Sequence, residues 1–120
     1  MPIIALDHIQ LAMPAGGEDK ARAFYSSLLG LAEVAKPTNL ASRGGCWFEH
    51  PNIKLHLGVE RGFMPAQKAH PAFLVDDLYE FLAMLAAHNI TSEQDEPLSG
   101  YLRAYINDPF GNRIELMQKL

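Results

Sequence analysis

The feature that most restricts what this 120-residue chain can fold into is an internal repeat. Ala21, Phe24, Tyr25, Leu28 and Leu29 follow one another at i, i+3, i+4, i+7 and i+8, the spacing of a single apolar stripe on a 3.6-residue helix. Leu78, Phe81, Leu82, Leu85 and Ala86 repeat that spacing 57 positions later. Asp77 followed by Glu80 has the form of an N-terminal capping box. Gly30 and Asn89 stand where the two helices are expected to stop. Alternating segments flank both helices. LDHIQLAM and AHPAFLV precede them. LAEVAK, GCWFEH and IKLHLGVE follow the first, while a weak strand near NITSEQ, then YLRAYIND and NRIELMQ, follow the second. Each half therefore reads β-α-β-β-β. The expected fold is α+β: one domain spanning 1–120, with a first module at 1–60, a linker RGFMPAQK at 61–68 and a second module at 69–120. Pro71 cannot donate to a ladder, so its strand must lie at an edge or tolerate a gap there.

Composition narrows the function classes. With 48% hydrophobic and 20% charged residues, the chain can build a core, which excludes a disordered tail or a collagenous fibre. Ten bases against fourteen acids give a net charge of −4, which disfavours a nucleic-acid partner. No apolar run approaches the roughly 18 residues that cross a membrane. A single cysteine, Cys46, makes no internal disulfide, and MPIIALDHIQ has no basic lead-in or small-residue cleavage site. The expectation is a cytoplasmic protein acting on small molecules.

Strand parity points to the chemistry. Side chains two apart share a face of a sheet. In the first strand Ile9, Leu11 and Met13 oppose His8 and Gln10; in IKLHLGVE the apolar set Ile53, Leu55, Leu57 and Val59 opposes His56. His70 is out of phase with Phe73 and Val75, and Glu115 with Ile114 and Leu116. An exposed sheet face ordinarily carries Lys, Glu, Thr and Ser. Here the first and last strands of each half place His8, His56, His70 and Glu115 at repeat-related positions. Three imidazoles and a carboxylate are ligands that one divalent ion (Zn, Ni, Co, Mn or Fe) accepts. His50, in a hairpin turn, and His88, at a helix end, are read as structural, and Cys46 as a core residue.

These segments resemble the vicinal oxygen chelate superfamily, also called the glyoxalase/bleomycin-resistance/extradiol-dioxygenase superfamily. The likeness runs through DHIQLAMP, ARAFYSSLLGL and AHPAFLVDDL. It is most specific at Asp108, Pro109, Gly111, Asn112 and Glu115 of YINDPFGNRIELMQ. The resemblance implies two βαβββ modules forming a cupped mixed sheet, with helices on its outer face, around a metal. It also implies a homodimer whose sites combine modules of two chains. By position, His8, His56, His70 and Glu115 match the metal-binding set of glyoxalase-type members, with Glu115 as catalytic base. Gln10, Tyr101, Arg103 and Tyr105 would line the substrate site, and Arg103 would pair with a substrate carboxylate. Glyoxalases usually carry Glu where this chain has His56, which weakens the case for glyoxalase chemistry proper. The primary expectation is a metal-dependent lyase or isomerase that stabilises an enolate or oxyanion on a small oxygen-chelating substrate. An Fe(II) extradiol-type dioxygenase or a thiol-transfer resistance enzyme needs only His8, His70 and Glu115. A non-catalytic small-molecule binding or resistance protein is the third reading.

Overall fold

Apolar alternation in the first half produces a four-stranded mixed sheet. In the computed structural model, which describes residues 1–120, the chain separates into two units, Met1–Met64 and Pro65–Leu120. The first unit contains β1 (Ile9–Met13), β2 (Ala32–Val34), β3 (Cys46–His50) and β4 (Ile53–Val59) in the order β1-β4-β3-β2. β1 runs parallel to β4, and the other pairings are antiparallel. Met13, Cys46, Phe48, Leu55 and Leu57 are buried on one face, as the alternation requires. Ala21, Phe24 and Tyr25 from the preceding helix are buried with them, the Tyr25 ring 5.6 Å from that of Phe48. Each large side chain so buried contributes roughly 1.5–3 kcal/mol.

That helix departs from the expected 3.6-residue form. α1 (Glu18–Ala21) runs directly into a π-helical segment, Arg22–Leu28, in which the Leu29 amide donates to the Phe24 carbonyl five residues back at 2.9 Å. The wider turn still sets Phe24 and Tyr25 side by side in the core, their rings edge-on at 4.9 Å. Gly30 ends it at φ +80, and the Leu31 amide turns back to the Tyr25 carbonyl at 3.0 Å. A second glycine is needed where β3 begins. Gly45 lies at φ +81, so close to β4 that a Cβ would fall 2.0 Å from the Leu57 carbonyl oxygen.

The second unit holds β5 (Ala72–Leu74), α2 (Leu78–Ala87), β6 (Tyr101–Asn107) and β7 (Arg113–Lys119), with sheet order β5-β7-β6. β5 is parallel to β7, and β6 is antiparallel to it. Pro71 immediately precedes β5 at the sheet edge, where only its carbonyl is required; that oxygen accepts from the Glu115 amide at 2.9 Å. Asp77 caps α2 by accepting from the Glu80 amide at 3.0 Å, and Asn89 closes the helix at φ 64. Leu78 and Leu85 of α2 are buried, as are Ala104, Ile106, Ile114 and Leu116 of the hairpin. The weak strand expected near NITSEQ is reduced to one bridge, Glu93–Tyr105, with hydrogen bonds of 2.9 and 2.8 Å. Residues 91–100 are all exposed, and their acids and Pro97 offer no apolar alternation to hold a longer ladder. The β6–β7 turn is braced by its own side chains. Asp108 Oδ1 accepts from the Phe110 and Asn112 amides, both at 2.8 Å, and its Oδ2 from Asn112 Nδ2 at 2.8 Å. No helix is long and apolar enough to cross a membrane.

Two outcomes follow from this packing. Gly45→Ala should lower the free energy of unfolding in urea by about 3 kcal/mol, combining left-handed strain with the clash against β4. Gly16→Ala, equally left-handed at φ +81 but with open space around it, should cost only about 1–2 kcal/mol. Cys46 is buried, and burial pushes its thiol above the ordinary value. Because the thiolate is the nucleophile, raising the pH from 7 to 9 should leave native Cys46 slow to alkylate, while denaturant should make alkylation fast.

Candidate functional site

Parallel pairing of the edge strand β5 with β7 decides what meets Glu115. Ala72 lies opposite Glu115, so His70, two residues before Ala72, comes alongside on the same face. His70 Nε2 sits 3.0 Å from Glu115 Oε1, and His70 Nδ1 sits 2.8 Å from the Lys68 carbonyl oxygen. The Glu115 side chain is only 9% exposed. Its other oxygen, Oε2, accepts from Arg103 NH1 at 3.2 Å. Register explains this contact as well: Tyr105 lies directly opposite Glu115, and Arg103 is two residues away on the same face of β6.

Arg103 has several further partners. NH1 also donates to the Tyr105 hydroxyl at 3.0 Å; Nε and NH2 donate to the Glu96 carbonyl at 3.2 and 2.6 Å, and NH2 lies 3.8 Å from Asp95 Oδ2. The guanidinium thus ties β6, β7 and the exposed acidic segment together. Tyr105 stands edge-on to His70 at 5.2 Å and lies beneath the Arg113 guanidinium at 5.0 Å. Tyr101 shares the face of Arg103 and Tyr105 but sits opposite Lys119 at the far end of the ladder, outside this network.

In the first unit the corresponding face carries His56, buried to 7% exposure near the middle of β4. Trp47 of β3 and Gln10 of β1 lie opposite it on either side. The Trp47 ring is stacked on the His56 ring at 3.9 Å and 1° between planes. His8 stacks on His56 at 4.3 Å and 22°. His8 Nδ1 is 2.8 Å from Asp7 Oδ1, and that bond holds the Asp7 carboxyl below its ordinary value. Burial, aided by the neighbouring His8, pushes His56 below the usual imidazole value, so its neutral form with a free lone pair prevails near pH 7. Gln10 lies across Gly58, where an added Cβ would fall 2.5 Å from Gln10 Nε2.

Each unit therefore brings together two of the four expected ligands: His8 with His56, and His70 with Glu115. Within neither unit do three or more His, Cys, Asp or Glu side chains come together to hold an ion. Two imidazoles on one face, and an imidazole facing a buried carboxylate on the other, have the donor chemistry of a divalent-metal site. Sequence reasoning missed Trp47, although the signal was present. Closing the hairpin through Pro51 and Asn52 sets His50 opposite Ile53, and counting back three places Trp47 opposite His56. It also missed Glu96, whose contribution is a main-chain oxygen.

The Arg103–Glu115 contact can be measured. Arg103→Leu leaves a buried carboxylate short of its cationic partner and should destabilise the protein by about 2–3 kcal/mol. Arg103→Leu combined with Glu115→Leu should cost less than the two single changes summed. Urea unfolding in a double-mutant cycle should return a coupling of at least about 1 kcal/mol.

Comparison with known proteins identifies the family and the fold. The family model of the Glyoxalase/Bleomycin resistance protein/Dioxygenase superfamily matches residues 5–116. A solved structure from Bacillus anthracis, described as a glyoxalase family protein, is 45% identical. It superposes with a TM-score of 0.95 over 100% of this chain and 98% of that one. Lactoylglutathione lyase from Agrobacterium tumefaciens is 25% identical, with a TM-score of 0.71 over 98% and 96% of the two chains. The fosfomycin resistance protein FosX from Listeria monocytogenes, at 17% identity, shares the fold with a TM-score of 0.78 over 99% and 96%. No curated protein matches the sequence. With the family model spanning nearly the whole chain and a relative of 45% identity, the protein belongs to the glyoxalase/bleomycin resistance protein/dioxygenase superfamily.

Proposed function

We propose that the protein is a divalent-metal-dependent enzyme of the glyoxalase-like lyase or isomerase type, acting on a small molecule that offers two neighbouring oxygens. The observation that carries the reading is the buried Glu115 carboxylate, with one oxygen held by Arg103 and the other turned to His70 Nε2. His8, His56, His70 and Glu115 are the ligands. A bound Zn, Ni, Co, Mn or Fe ion would supply Lewis-acid stabilisation of an oxyanion or enolate. Glu115 moves a proton at Oε1 as general base, and Arg103 fixes the plane of its carboxylate through Oε2. Because Arg103 already donates to Tyr105, Glu115 and the Glu96 carbonyl, substrate recognition falls more to Gln10, Tyr101 and the Tyr105 ring than to a guanidinium–carboxylate pair.

Since each unit contributes two ligands, we infer a homodimer with composite sites, the first unit of one copy completing the second unit of its partner. The free, buried Cys46 suits a reducing cytoplasm.

Mixing variants tests the proposal. His8→Ala and Glu115→Gln should each lose bound cobalt or nickel, measured by mass spectrometry against about one ion per chain in the wild type. Co-expressing the two variants should restore about one ion per heterodimer, because one site then draws intact ligands from both chains. Failure of the wild type to bind any of the five metals after anaerobic reconstitution would overturn the enzyme reading. Light scattering that gives only the 13.3 kDa monomer would overturn the composite site. Hemithioacetal isomerisation should be weak, because His56 stands where glyoxalases carry Glu, and catechol-dependent oxygen uptake with iron would favour a dioxygenase instead.

A further inference from the structure

The three histidines of the candidate set are held in different ways. His8 and His70 each have Nδ1 engaged at 2.8 Å, by Asp7 and by the Lys68 carbonyl respectively, which fixes the ring, and His70 Nε2 is thereby aimed at Glu115 Oε1, 3.0 Å away. This is the usual way a ligating imidazole is oriented. The His56 imidazole, by contrast, is contacted by two stacked rings. Trp47 lies parallel to it at 3.9 Å and His8 at 4.3 Å. The lone pair of an imidazole lies in the ring plane, so the ring torsion sets where a ligand bond can form. That terminal torsion is otherwise broad.

We propose that Trp47 is the positioning residue of His56: by stacking from the directly opposite position on β3 it fixes the imidazole plane, the task that hydrogen bonds perform for His8 and His70. The inference rests on the reading of His56 as a metal ligand. Trp47 acts through His56 and touches no reacting atom. Its place follows from the sheet register, which pairs Trp47 with His56 of β4 on one side and with Val34 of β2 on the other. Gln10, on the other side of His56, leans across Gly58, so the stack is not crowded from β1.

The chain contains one tryptophan, so the stack reports on itself. Cobalt titration of the wild-type protein should quench the Trp47 emission saturably, with an end point equal to the metal content measured independently. Trp47→Phe retains a flat ring and should bind cobalt within about threefold of wild type. Trp47→Leu, matched to wild type in circular dichroism, should bind about 10–100-fold more weakly, the range typical of lost orienting partners. In metal-free protein the His56 ring protons should be shifted upfield by the indole in NMR spectra. That shift should persist in part in Trp47→Phe and vanish in Trp47→Leu.

The outcomes separate the two ideas. A wild type that shows the upfield shift yet binds no cobalt sinks the metal reading, and this inference with it. A wild type that binds cobalt while folded Trp47→Leu binds it equally well sinks the positioning role alone. Should Trp47→Leu fail to fold, Trp47→Phe decides: affinity more than tenfold weaker despite a retained stack would contradict the proposal.

Discussion

Each sheet must bury one face beneath a single short helix, and everything else in the protein follows from that constraint. The inner face of each sheet is built from buried apolar residues: Phe48, Leu55 and Leu57 against Phe24 and Tyr25 in one, Ile106, Ile114 and Leu116 with Leu78 and Leu85 in the other. The opposite face is then left to polar and aromatic side chains whose spacing the ladder dictates. Histidines and a glutamate on that face stand in fixed relation because the strands beneath them cannot shift without exposing the core.

The two polar faces meet the cost of burying titratable groups by different means. In the second unit a carboxylate is kept from water by a cation and an imidazole, and the cation is in turn tied to the backbone of Glu96. In the first unit His56 is neutral and covered by rings, so dispersion and aromatic contact replace charge pairing. One polar face is thus held electrostatically and the other by stacking.

Much of this was legible in the sequence, and the reasons are local. Asp77, Gly30 and Asn89 act through their own backbone, so capping and left-handed φ values could be read directly. Pro71 announced an edge strand because it lacks an amide proton. Parity identified the inward and outward faces of β4, β6 and β7. The π-helical segment was not legible, because an apolar stripe with 3.6 spacing also fits a slightly wider turn. The partners of Arg103 were hidden for another reason: an acidic loop seven residues upstream supplies a carbonyl oxygen, and main-chain acceptors leave no mark in the sequence. Whether Glu115 faces His70 depends on parallel pairing across 45 residues, which residue spacing alone does not reveal.

The Asp108–Asn112 turn bears on how the protein can change over evolution. Asp108 bonds the Phe110 and Asn112 amides and the Asn112 side chain within it, and the hairpin it closes alternates Ile114 and Leu116 with Glu115. Losing or gaining one residue there would exchange the two faces of β7, turning the carboxylate toward α2 and an aliphatic side chain toward His70. Lengthening a turn is ordinarily among the mildest alterations a lineage can accept. In this hairpin it would take the Glu115 carboxylate away from both His70 and Arg103 in one step.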